Sequence, residues 1–103
     1  MSVIVTAVFH PVEGRTAELV EALQAAIPAV HEEKGCHLYA IHDAEDGTIT
    51  MIEKWESRED LAAHAVGPAV EALNKLVGHL VAKPTTVTLM RPIPVGSAEQ
   101  GEL

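Results

Sequence analysis

The residues best suited to chemistry lie in the stretch Glu53-Lys54-Trp55-Glu56 and at His64, a few residues further along the chain. The alternation of side chains along a strand places Glu53 and Trp55 on one face. Ser57 is a good helix N-cap, so His64 should lie about two turns into the following helix and can point back toward the sheet. A carboxylate, an indole and an imidazole around one apolar cleft are suited to removing a proton from a phenol and stacking an aromatic ring.

Each of these three residues also has a purely structural interpretation. Trp55 can equally well anchor the core or a dimer contact, because Trp is commonly buried. Glu53 can be a cross-strand ion-pair partner, and His64 can be a cation near a helix C-terminus. The residue types alone leave the catalytic and the structural interpretations open.

The other potential ligands and nucleophiles form no recognisable constellation. The 6 histidines include no close i, i+4 pair, which favours scattered surface or partly buried histidines over a metal site. Cys36 is the only cysteine, which excludes an intramolecular disulfide, and it is more typical of a small buried hydrophobe than of a nucleophile. Tyr39 and His42 fall on opposite faces of one predicted strand, so at most one of them can face a given cavity.

Composition and charge limit the classes of partner. The chain has 103 residues, enough for one domain, and 15 acidic against 7 basic residues give a net charge of -8. Without a basic cluster, nucleic acid and anionic membrane surfaces are disfavoured by repulsion. The first residues lack the features of a signal peptide, and no segment approaches the roughly 18 apolar residues of a membrane span. We therefore expect a cytoplasmic protein.

The hydrophobic pattern predicts alternating strands and helices. Strands are predicted at Val3 to His10, Cys36 to His42, Thr48 to Glu56 and Thr85 to Met90, because β-branched and apolar residues alternate there. A helix is predicted from Thr16 to His31, with an irregularity at Pro28. A second helix should begin after Ser57, break at Gly67-Pro68 and resume through Leu80.

This order, β-α-β-β-α-β, predicts an α+β fold of the ferredoxin-like type, an antiparallel four-stranded sheet with helices on one face. Residues 1–94 should form the domain and residues 95–103 a flexible tail. The first strand is largely apolar on both faces, although helices can cover only one. The uncovered face should meet the same face of a second copy, which predicts a homodimer.

Three short motifs in this order resemble the antibiotic biosynthesis monooxygenase family: Glu33-Lys34-Gly35-Cys36-His37-Leu38-Tyr39, then Glu53-Lys54-Trp55-Glu56-Ser57, then Leu61-Ala62-Ala63-His64. The resemblance extends over nearly the whole chain. It implies a dimeric α+β barrel, which agrees with the homodimer that the strand pattern predicts. The sequence departs from the family pattern after His64. Many family members carry an aromatic residue shortly after this histidine, whereas here the stretch is Ala65-Val66-Gly67-Pro68.

The resemblance implies a monooxygenase that oxidises a small quinol or hydroxylated aromatic with dioxygen and needs no flavin, haem or metal. The implied catalytic residues are His64 as acid and base, Trp55 for stacking and polarising the substrate, and Glu53 as an orienting carboxylate. The alternative is a non-catalytic or stress-response dimer that holds a small apolar ligand. One fold hosts many functions, so family resemblance does not decide between them.

Overall fold

A computed structural model of the chain describes residues 2–103. The elements follow in the order β1 (Val3–Pro11), α1 (Thr16–His31), β2 (Cys36–Asp43), β3 (Ile49–Trp55), α2 (Arg58–Ala65), α3 (Pro68–Val77), β4 (Val81–Met90) and α4 (Ala98–Gly101). The strands form one antiparallel sheet in the order β2-β3-β1-β4. This is the predicted ferredoxin-like arrangement, and the sheet is open rather than closed into a barrel.

The core lies between the helices and one face of the sheet. That face carries the odd-numbered residues of β1, of which Val3, Val5, Ala7 and Phe9 are all buried. Helix α1 covers it with a stripe at helical spacing that includes Leu19, Leu23 and Val30. Pro28 lies within α1 on its exposed side, and the helix continues to His31.

The helix after β3 begins as the sequence predicts. The Ser57 side chain accepts a hydrogen bond from the backbone N–H of Asp60 at 3.1 Å, which satisfies one of the free N–H groups of the first turn. The helix ends at Ala65, and Pro68 occupies the first turn of α3 with Gly67 as its N-cap. The predicted break at Gly67-Pro68 is therefore confirmed, and it separates α2 from α3.

The last strand is longer than its sequence pattern indicates. Helix α3 ends at Val77 rather than Leu80, and β4 begins at Val81 rather than Thr85. Pro84 obscured this start, because proline normally interrupts a strand but is tolerated at a sheet edge. β4 is the edge strand, and its register with β1 shifts between Val8 and His10, close to that proline.

The opposite face of the sheet carries the even-numbered residues of β1. Ile4 is buried, and Thr6 and Val8 are half-buried, as is Ile52 of the neighbouring β3. Helices α1 and α3 pack on the odd-numbered face. Within residues 2–103, no helix combines the length and apolar character that crossing a membrane requires.

Candidate functional site

His64 lies in the last turn of α2 and is buried, with 6% of its surface exposed. Its helix has little apolar character of its own, and His64 is the one residue of α2 that is buried. The Ser57 cap sets where the helix starts, and two turns of helix then bring the imidazole over the sheet. A buried imidazole at a helix end needs hydrogen-bond partners, because burial removes its contact with water.

The partner of His64 is Glu33, in the turn between α1 and β2. His64 Nδ1 and Glu33 Oε1 are 2.6 Å apart. Nδ1–H donates to the carboxylate in this contact, which leaves Nε2 free of this bond. The second carboxylate oxygen of Glu33 lies against Gly67, where a β-carbon would come within 3.2 Å of it. The break between α2 and α3 thus leaves room for this hydrogen bond.

Glu53 and Trp55 are paired on the helix-facing side of β3. Trp55 Nε1–H donates to Glu53 Oε1 at 2.9 Å, and both side chains are buried. Burial raises the pKa of the Glu53 carboxyl, while the Trp55 hydrogen bond and the nearby His64 oppose that rise. Trp55 is fully buried and makes no part of the cavity wall.

The side-chain rings of Tyr39, Trp55 and His64 pack against one another. The imidazole of His64 lies over the Trp55 indole, with ring centroids 4.5 Å apart and planes inclined by 33°. Tyr39 of β2 meets both rings edge-on, at 5.4 Å from His64 and 6.3 Å from Trp55. Burial and the carboxylates of Glu53 and Glu33 raise the pKa of the Tyr39 hydroxyl, so it stays protonated at neutral pH.

A cavity of about 430 Å³ opens beside these rings, between the sheet and helices α2 and α3. Its floor is Val5, Ala7 and Phe9 of β1, and its inner end is formed by Tyr39, Glu53 and His64. The remaining wall residues are Arg58, Leu61, Ala62 and Ala65 of α2, Val70, Leu73 and Asn74 of α3, and Thr85, Val87 and Leu89 of β4. The cavity is mainly apolar, with polar groups at a few fixed places, as is usual for small-molecule sites.

Comparison with known proteins identifies the family. The family model described as antibiotic biosynthesis monooxygenase matches residues 2–76, which include β1 to β3 and all three inner-end side chains. The chain belongs to this family.

Similar proteins agree with that assignment. A protein of Mycobacterium tuberculosis named "Putative monooxygenase Rv0793" is 31% identical over 97 residues, covering 93% of this chain and 96% of the relative. Its solved structure matches with a TM-score of 0.83 at 30% identity, covering 94% of this chain and all of that one. Protein SO0527 from Shewanella oneidensis matches with a TM-score of 0.77 at 25% identity, covering 86% and 88% of the two chains.

The fold extends to more distant structures. A conserved protein from Methanosarcina mazei is 19% identical and has a TM-score of 0.81, with 88% of this chain and 92% of that one covered. At such identity the likeness shows the shared fold alone. Because one fold hosts many functions, the chemistry of this chain must be argued from its own side chains.

In this family member, the inner end of the cavity can exchange protons with a ligand. Within residues 2–103, every buried side-chain nitrogen or oxygen has a hydrogen-bond partner. His64 Nε2 and the Tyr39 hydroxyl have no hydrogen-bond partner within these residues, so neither atom is fully buried, and both residues line the cavity. Nε2 can accept a proton and the hydroxyl can donate a hydrogen bond.

The structure brings together the three residues singled out from the sequence, and it adds two. Glu53 and His64 line the cavity, and Trp55 contacts both from behind. Glu33 and Tyr39 received no role in the sequence analysis, although both lie in the first family motif. Only their motif position could have indicated them, since Glu33 lies 31 residues from His64 in the chain.

The remaining candidates lie elsewhere. His42 is exposed on the other side of β2 from Tyr39, as alternation predicts. Burial and the Glu33 carboxylate raise the pKa of the Cys36 thiol, which leaves it a poor nucleophile. Among residues 2–103, no group of three or more His, Cys, Asp or Glu side chains is arranged to hold a metal ion.

Proposed function

We propose that this protein is a monooxygenase that oxidises a small quinol or hydroxylated aromatic with dioxygen, using no cofactor. The observation that carries the proposal is the buried imidazole of His64, with Nδ1 bonded to Glu33 and Nε2 open to an apolar cavity. A carboxylate that fixes the tautomer of a histidine is the usual arrangement for a general base. Membership of a family named for monooxygenases supports the same reaction class.

The reaction begins when His64 Nε2 takes the proton of a substrate hydroxyl. The resulting anion has carbanion character at a ring carbon, and this carbon forms a bond to dioxygen, which is reduced to a peroxide. The imidazolium returns its proton to the outer peroxide oxygen. The O–O bond then breaks, and the ring carbon loses its hydrogen as water leaves. One oxygen atom ends in the new carbonyl group and the other in water.

The neighbouring side chains have supporting roles in this proposal. Tyr39, protonated, donates a hydrogen bond to the developing anion. Glu53 accepts from Trp55 and holds the indole beneath the imidazole, so both orient His64. Trp55 has no exposed surface, so in this proposal it acts as a positioning residue rather than as the stacking platform that the resemblance implies.

We further propose that the working form is a homodimer. The even-numbered face of the sheet carries the apolar side chains of Ile4, Val8 and Ile52, of which Val8 and Ile52 are half-buried. A second copy can cover this face through an isologous contact, in which the same face of each subunit meets the other across a twofold axis. The cavity lies on the other side of the sheet, so pairing of this kind leaves its opening free.

The test is oxygen uptake by metal-free, flavin-free protein with a panel of quinols and phenols. His64→Ala should lower kcat/KM by about 100-fold to 10,000-fold, the usual contribution of a general base. Glu33→Gln should lower it by about 10-fold to 100-fold, because the carboxylate acts through His64. His79→Ala, an exposed histidine outside the cavity, is the matched control and should be within about twofold of the wild type. Full turnover by His64→Ala would refute the proposal.

One observation favours a non-catalytic binding protein instead. The His64–Glu33 pair also ties α2 to the α1–β2 turn, and so it has a structural use without any reaction. In that case the same panel should give tight binding by calorimetry and no oxygen uptake with any compound. Turnover that depends on His64 excludes this alternative.

A further inference from the structure

Arg58 is the only Lys or Arg among the residues lining the cavity. It is the first residue of α2, and its side chain is exposed at the cavity wall. Among residues 2–103, four cations form no ion pair with an acidic side chain: Lys54, Arg58, Lys83 and Arg91. Of these four, Arg58 alone lines the cavity. Its charge is therefore available to a ligand.

Stability does not explain a cation at this position. The N-terminus of a helix carries partial positive charge and favours acidic residues, so arginine in the first turn is slightly unfavourable. The next two residues, Glu59 and Asp60, follow that rule. In a chain of net charge -8, an arginine without an acidic partner on the wall of an apolar cavity is better explained by a ligand.

The cavity wall thus carries one cation beside the groups of the proposed acid–base chemistry. Glu53 and His64, which is bonded to Glu33, line the same cavity as Arg58. Arg58 lies six positions before His64 on α2, which is about 9 Å along the helix axis. A ligand that fills the cavity can place one polar group against Arg58 and another against His64.

We propose that the substrate carries a carboxylate that Arg58 binds, while its ionisable hydroxyl lies against His64. The planar fork of the guanidinium matches a carboxylate with two parallel hydrogen bonds. The substrate is then a hydroxylated aromatic acid of more than one ring, long enough to reach both side chains. This inference rests on the proposed function, since it names the substrate class of the same site.

The test uses a dihydroxynaphthoic acid and its primary amide, which has the same rings and hydroxyl groups but no carboxylate. Binding is measured by calorimetry without oxygen, so that the result does not depend on turnover. Wild-type protein should bind the acid about five-fold to ten-fold more tightly than the amide at low salt. This preference should shrink as salt is added, because Arg58 is exposed to solvent.

Arg58→Gln should remove the preference by weakening binding of the acid and leaving binding of the amide unchanged, and Arg58→Lys should restore part of it. Lys83→Gln is the matched control, since Lys83 is an exposed cation outside the cavity wall, and it should keep the full preference. Equal binding of acid and amide to wild type, binding of neither, or a preference that survives Arg58→Gln would overturn the inference.

Oxygen uptake then separates this inference from the proposed function. Preferential binding of the acid without oxygen uptake would contradict the monooxygenase and leave the assignment of Arg58 intact. Oxidation of acid and amide with the same KM would contradict the role of Arg58 and leave the monooxygenase intact.

Discussion

At the scale of single residues, two carboxylates near one imidazole have different environments. Glu33 is partly exposed in a turn and bonds Nδ1 of His64 directly. Glu53 is 5% exposed, and its bonded partner is the neutral indole N–H of Trp55. Burial raises the pKa of the Glu53 carboxyl. The hydrogen bond from Trp55 opposes this rise only in part, because a neutral partner compensates a buried charge less completely than a cation does.

This difference predicts how stability depends on pH. Because the pKa of Glu53 is higher in the folded than in the unfolded state, its protonated form favours folding, and that contribution is lost as pH rises through the folded-state pKa. Glu53→Gln removes the charge and keeps an oxygen that accepts from Trp55. The variant should therefore be more stable than the wild type at neutral pH, and the difference should disappear at pH values below the pKa of an ordinary glutamate.

The measurement is urea unfolding of both proteins from pH 3.5 to 8. Glu45→Gln is the matched control, because Glu45 is an exposed glutamate in the β2–β3 connection. Its stability relative to wild type should vary little over this range. A Glu53→Gln variant that is less stable than wild type at pH 7 would show that the charge itself stabilises the fold.

At the scale of elements, the α1–β2 turn holds Glu33 against α2. The backbone N–H of Glu56 donates to Gly35 O at 2.8 Å, joining the turn to the end of β3. Gly35 has φ of 78°, and a β-carbon there would overlap the Asp60 side chain in the first turn of α2. Glycine is required on both grounds, and the close contact fixes the distance between the turn and the helix that carries His64.

Gly35→Ala should accordingly destabilise the fold by about 2–4 kcal/mol, the sum of backbone strain and overpacking. It should also lower turnover, because the separation of turn and helix sets the Glu33–His64 hydrogen bond. Thermal or urea unfolding measures the first effect, and oxygen uptake by the folded fraction measures the second.

Gly47→Ala is the control that separates the cost of backbone strain from the cost of the steric overlap with Asp60. Gly47 has φ of 89°, but nothing lies within 4 Å of the position a β-carbon would take. It should cost only about 1–2 kcal/mol and leave activity unchanged. Equal losses at Gly35 and Gly47 would mean that the Asp60 contact has no energetic role.

At the scale of the whole molecule, the two faces of the sheet differ. The odd-numbered face packs against α1 and α3 and holds the core. The even-numbered face carries Ile4, Val8 and Ile52, and Ile52 lies in β3 beside Thr6 of β1. The proposed homodimer makes this face the subunit contact.

Ile52→Lys should therefore shift the protein from dimer to monomer, since pairing would bury a Lys from each subunit against its symmetry mate. Light scattering after size exclusion should give about twice the chain mass of 11.0 kDa for wild type and the chain mass for the variant. Circular dichroism checks that the variant is folded.

Leu76→Lys is the matched control, because Leu76 is an exposed apolar residue of α3, in the helix layer. It should remain dimeric. A wild-type protein that is monomeric at micromolar concentration would contradict the proposed dimer, and so would a dimer that tolerates Ile52→Lys.

The order of the helices and strands and most of their limits follow from the sequence. The hydrophobic periodicity and the capping and helix-breaking residues that define them are local properties of the chain. Alternation in β1 and β3, the stripe on α1 and the Ser57 cap each involve neighbours in the chain, and all three are confirmed. β4 was the exception. Its first residues surround Pro84, and only its position at the sheet edge explains why a strand forms there.

The site was only partly determined by sequence. Alternation placed Glu53 beside Trp55, and helical geometry brought His64 over them, since each argument spans a few residues. The tertiary structure alone decided that Glu33 bonds His64, that Tyr39 closes the inner end, and that Trp55 is buried behind the cavity. These contacts join a turn, two strands and a helix, and their distances depend on how whole elements pack, which no local pattern encodes.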